Sequence, residues 1–68
     1  MIDAKVIGQR LLQLRNNLNK TRKDVAEACG ISVSALTMYE IGERIPRDEI
    51  KIRLSNYYKK SITSIFFK

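Results

Sequence analysis

Wound as a helix at about 100° per residue, the stretch ISVSALTMYEIG (residues 31–42) gathers Val33, Ser34, Thr37, Met38 and Ile41 onto one arc. These side chains are short or apolar, two carry hydroxyls, and none is charged. A solvated face of a basic protein usually carries lysine and glutamate. A face that enters a crowded groove has other needs: short side chains let the backbone approach, hydroxyls hydrogen-bond to base edges, and methyl groups meet thymine methyls. The counter-charge for phosphates belongs beside such a face, not on it. The chemistry on offer is recognition of duplex nucleic acid, with no bond made or broken.

Covalent chemistry finds no support. The chain has no histidine and one cysteine, Cys29, with no visible base to activate it. Its seven carboxylates form no metal-ligand pattern, and there is no phosphate-cradling glycine loop or nucleophile elbow. An enzyme is therefore not expected, nor is a cofactor, metal or small-molecule ligand. A lone cysteine makes no internal disulfide and points to a reducing, cytoplasmic setting, with Cys29 as a small buried hydrophobe. No run resembles a signal peptide or a membrane span, and the interspersed basic residues do not suit a membrane surface.

The 68 residues carry a formal charge of +6 and a pI near 9.8, which favours an anionic partner. The charge is uneven. Residues 1–23 hold six bases and one acid, residues 24–50 two bases and six acids, and residues 51–68 five bases and no acid. The positive surface must come from the two flanks of the neutral segment.

The elements that position this face follow from punctuation. A chain of this length is one domain with a small core. Asp3 precedes an amphipathic helix to about Asn16, with Ile7, Leu11, Leu14 and Leu18 at helical spacing. Gly8 inside it lets a neighbouring element approach. Asn16, Asn17 and Asn19 suggest a loop. Thr21 and Asp24 form a capping box for a second helix that runs to Cys29 and stops at Gly30. Ser32 caps a third, with Ile31 and Leu36 placed as a hydrophobic staple, and Gly42 closes it. So short a glycine turn forces a steep crossing between these two helices. Pro46 is placed at the start of a fourth helix, whose inner face is Ile50, Leu54 and Tyr57 or Tyr58. Ser61 caps a short fifth with Ile62, Ile65 and Phe66 inward. The expectation is an all-α, five-helix domain over residues 1–68.

Across Ile7 to Phe66 the chain resembles the helix-turn-helix domain shared by phage repressors and Cro proteins, the XRE family. The matching pieces are IGQRLLQLR, TRKDVAEACGIS, SALTMYEIGERIP and SITSIF, with Ala26, Gly30, Glu40, Gly42 and Pro46 in joint register. The resemblance implies a lambda-repressor-like fold with the helix-turn-helix at about 21–42 and the third helix in the major groove. It assigns Val33, Ser34, Thr37 and Met38 to bases. It assigns Thr21, Arg22, Lys23, Ser32 and Arg44 to phosphates; Arg22 stands where the family usually has a glutamine. It also pairs Arg15 with Glu40, an acid that the helical wheel puts at the edge of the inward arc. Val33 and Met38 replace the long polar readers of many relatives, so thymine methyls opposite Val33 and DNA shape are the expected readout.

Tyr39 is expected in the core, and Tyr57 and Tyr58 against the fifth helix. The apolar end, Ile65, Phe66 and Phe67, suggests a subunit contact, and related domains commonly dimerise there. A homodimer would set two recognition helices about 34 Å apart on a near-palindromic operator. The expected function is a sequence-specific DNA-binding regulator, a repressor of phage, prophage or bacterial type. The alternative is a protein-interaction module such as an antitoxin.

Overall fold

Four of the five helices start at a side-chain cap written into the sequence. In the computed structural model, which describes residues 3–67, the helices are α1 (Ala4–Asn17), α2 (Arg22–Cys29), α3 (Val33–Glu40), α4 (Asp48–Tyr58) and α5 (Ile62–Phe66). Asp3 accepts from the Val6 amide at 3.0 Å, Ser32 from Ala35 at 2.9 Å and Ser61 from Ser64 at 3.1 Å. Thr21 and Asp24 close a reciprocal capping box, each bond 3.1 Å. Each satisfies amides that the first turn leaves without a partner. The exception is α4. Its N-cap is Arg47, with no side-chain cap, so the helix begins two residues after Pro46 rather than at it. Pro46 is buried in the preceding loop, and Asp48 and Glu49 supply the first-turn acids that suit the helix dipole.

The helices close into a ring. α3 packs on α1 and α2, α4 on α2 and α5, and α5 returns to α1. The most deeply buried large side chains are Leu11, Val25, Leu36, Leu54 and Ile65, one from each helix. No helix can leave without opening this core. Gly30, at φ 69°, lets the chain turn from α2 into α3 within three residues, a left-handed conformation that costs glycine little.

Leu18 departs from its expected place. The apolar spacing runs true through Ile7, Leu11 and Leu14, but α1 ends at Asn17, and Leu18 is the C-cap at 48% exposure. Asn19 then takes a left-handed conformation, which asparagine tolerates.

Two arginines serve helix ends. Arg10 donates to the carbonyls of Ser64 and Ile65 at 3.1 and 3.2 Å, tying α1 to the end of α5. Arg53 donates to the Cys29 carbonyl at 3.4 Å, at the end of α2. Cations there satisfy orphan carbonyls and complement the helix dipole. Cys29 is buried, and desolvation pushes its thiol above the ordinary value, as an inert core residue requires.

Tyr58 lies in the core with Tyr57 edge-on to it, ring centroids 5.2 Å apart. The Tyr58 hydroxyl is buried with no hydrogen-bond partner among the described residues, and desolvation pushes its pKa far up. An unpaired buried hydroxyl costs about 1–3 kcal/mol. Tyr58→Phe is therefore expected to hold or raise the melting temperature in a calorimetric scan. A fall of several degrees would mean that the hydroxyl has a partner after all.

Among the described residues no helix is long and apolar enough to cross a membrane.

Candidate nucleic-acid interface

Packing on two neighbours decides which way α3 faces. Leu36, Tyr39 and Glu40 are buried, while Val33 is 43% exposed, Ser34 is exposed, and Thr37 and Met38 are half-buried. The four residues expected to face bases thus share the outer side of one helix. Eight residues make a helix about 12 Å long, commensurate with a major groove about 12 Å wide. Ile41 continues the stripe at 48% exposure just past the helix, and Ile45 follows at 49%. Sequence reasoning placed Ile41 on the arc and left Ile45 unremarked.

Thr37 has a constraint that its residue type does not reveal. Its hydroxyl donates to the Val33 carbonyl at 2.9 Å, one turn back. What it can offer a base is therefore an acceptor oxygen and a methyl group, suited to the exocyclic amine of adenine or cytosine and to thymine.

The only acid on α3 is turned away from this surface. The Glu40 carboxylate, fully buried, accepts from Arg15 Nε at 2.8 Å and Arg15 Nη2 at 3.0 Å, a bidentate pair between α1 and the last residue of α3. Arg15 Nη1 also donates to the Lys20 carbonyl at 2.9 Å, so all three of its nitrogens are engaged. The hydrogen bonds to Glu40, with the attraction of its charge, hold the Arg15 pKa above the ordinary arginine value. The expected pair is present.

A third member was missed. Arg22, the first residue of α2, donates Nε–H to Glu40 Oε1 at 2.9 Å. The sequence assigned Arg22 to phosphate alone, and no local spacing could signal a bond to a residue eighteen positions away. Its side chain remains 37% exposed, so an outer edge is still presented to solvent.

Thr21, Lys23, Ser32 and Arg44 are all exposed. The hydroxyls of Thr21 and Ser32 accept amide bonds as caps, which leaves the Ser32 O–H able to donate to a phosphate oxygen, while the Thr21 O–H is shared with the Asp24 carboxylate. Asp24 shares the neighbourhood of Lys23. Its carboxyl lies below the ordinary range because it accepts the Thr21 amide and hydrogen-bonds with the Thr21 side chain. The sign follows: a depressed folded value contributes stability above the ordinary carboxylate range, lost as acid protonates the group. Asp24→Asn cannot ionise, so its stability deficit against the parent is expected to be largest near neutral pH and to shrink in acid. Denaturant titrations of both proteins across that range check this; a deficit independent of pH would contradict it.

At the other end, the three expected contact residues separate. Ile65 and Phe66 are core, 2% and 3% exposed, because α5 must fill the gap between α4 and α1. That corrects their assignment to a subunit surface. Phe67 stays outside at 60%, with the Lys51 ammonium 4.7 Å from its ring centroid. Among the described residues no group of three potential metal-ligating side chains occurs.

A family model described as helix-turn-helix matches residues 11–65. A protein named cryptic phage CTXphi transcriptional repressor RstR, from Vibrio cholerae serotype O1, is 32% identical over 59 residues, covering 87% of this chain and 53% of that protein. The chain thus spans about half the length of this curated relative. No solved structure matches.

Proposed function

Because the chain belongs to the helix-turn-helix family whose model spans most of it, we propose that it is a transcriptional regulator that places α3 in the major groove of an operator. The observation that carries this reading is the outward face of α3. It is uncharged and at least partly open to solvent, while the helix's one acid is buried against α1 and α2. Val33, Ser34, Thr37 and Met38 face the bases; Arg22, Lys23 and Arg44, with the hydroxyls of Thr21 and Ser32, hold the phosphates. The repressor name of the relative from the phage supports a role in repression.

The domain measures 30 × 23 × 22 Å. It therefore fits one recognition helix per turn of DNA, and a two-fold pair would set two helices about 34 Å apart. Phe67 is the contact residue for such a homodimer, now without Ile65 and Phe66.

Fluorescence anisotropy against duplexes, over a range of salt, tests the reading. Three basic contacts from each protomer of a dimer predict a slope of log affinity against log salt of about −5, since each neutralised phosphate contributes about −0.9. A selected duplex should also bind far more tightly than random sequence. Binding that ignores salt, or equal affinity for both duplexes, would overturn it.

A further inference from the structure

The cluster at the end of α3 has an unbalanced charge. Two guanidinium groups face one carboxylate, so Arg15, Arg22 and Glu40 together carry a net +1. Arg15 already gives Glu40 a bidentate partner, and its side chain is only 12% exposed. The second cation is not needed to satisfy the acid. Arg22 carries the surplus charge, and at 37% exposure it is the member open to solvent. Only its Nε is committed to a protein hydrogen bond among the described residues. One planar guanidinium can bond an acid on one edge and an anion on another in a fixed relative geometry, which the freely rotating donors of an ammonium do not impose.

We propose that Arg22 is a positioning residue as well as a phosphate contact: a DNA phosphate on its outer edge neutralises the cluster and is linked, through the same guanidinium and Glu40, to the orientation of α3. This rests on the proposed DNA reading. Backbone contact and base readout then share one rigid group. Loss of Arg22 therefore costs sequence preference, whereas a phosphate contact alone would weaken all sequences alike.

The test compares the affinities of parent, Arg22→Lys, Arg22→Gln and Lys23→Ala for a duplex selected by the parent and for random duplex, below the melting temperature of each. Arg22→Lys keeps the charge but not the fork. It should keep the salt slope while its preference, the ratio of selected-duplex to random-duplex affinity, falls about tenfold, within the usual range of coupling between sites. Arg22→Gln should lose preference too and lower the salt slope by about 1. Lys23→Ala should weaken both duplexes equally. If Arg22→Lys and Arg22→Gln keep the parent's preference, the linkage is wrong although the DNA reading stands. If the parent itself shows no preference, both fall.

Discussion

Replacing Glu40 with glutamine is expected to remove most of the domain's stability. The substitution keeps size and shape but leaves Arg15, 12% exposed and already bonded to the Lys20 carbonyl, without its counter-charge. Removing one partner of a buried pair costs about 3–5 kcal/mol, and a core of this size supplies a net stability of only about 3–5 kcal/mol. The predicted outcome is a protein largely unfolded at ambient temperature by circular dichroism, or one whose melting temperature falls by more than about 15 °C. Of the two arginines Arg15 is the more buried and Arg22 the one open to water, so a double variant carrying Arg15→Met and Glu40→Leu should be more stable than Glu40→Leu alone, because apolar side chains can replace a buried pair at little cost. A Glu40→Gln protein that melts with the parent would show that the cluster holds nothing together.

Gly8→Ala is the second large effect, and propensity argues the other way. Alanine is favoured over glycine inside a helix by about 1 kcal/mol. Here, however, α1 crosses the end of α3 at Gly8, which is buried. A Cβ at that position would sit 2.7 Å from the Tyr39 carbonyl oxygen and against that of Glu40. Both obstacles are backbone, so no rotamer change relieves the contact. α1 must lift away from α3, which loosens the Arg15–Glu40 bonds as well. Overpacking typically costs about 1–3 kcal/mol, and this site belongs at the upper end because two elements must separate. The expected net loss is about 2 kcal/mol, or a fall of roughly 10 °C in melting temperature. A rise in melting temperature, as propensity alone predicts, would contradict the close approach.

Both effects lie on the α1–α3 seam, and their legibility in sequence differed for a physical reason. Gly8 was readable as a site of close approach because glycine inside an amphipathic pattern is costly without one. Capping was readable because it is local: Thr21 and Asp24, Ser32 and Ser61 bond groups three residues away. The outward face of α3 was readable from periodicity alone. Long basic side chains were not. Arg10, Arg22 and Arg53 reach partners 55, 18 and 24 positions away, and nothing in their local spacing records a destination. Leu18 misled because its apolar spacing continues one step beyond the residue at which α1 stops. The end of the chain misled because α5 is too short to have separate inner and outer apolar faces: filling the core consumes Ile65 and Phe66 and leaves Phe67 outside.

The central claim is that the uncharged face of α3 reads base edges. The most direct measurement is selection from a random duplex library by the parent and by a Val33→Ala, Thr37→Ala double variant. Both positions lie on the outer side of the helix, so the variant should fold. The parent is predicted to return a defined half-site containing thymine, and the variant to lose preference at adjacent positions of that half-site while its salt slope stays unchanged. Recovery of the same motif by both proteins would mean that this face does not touch the bases.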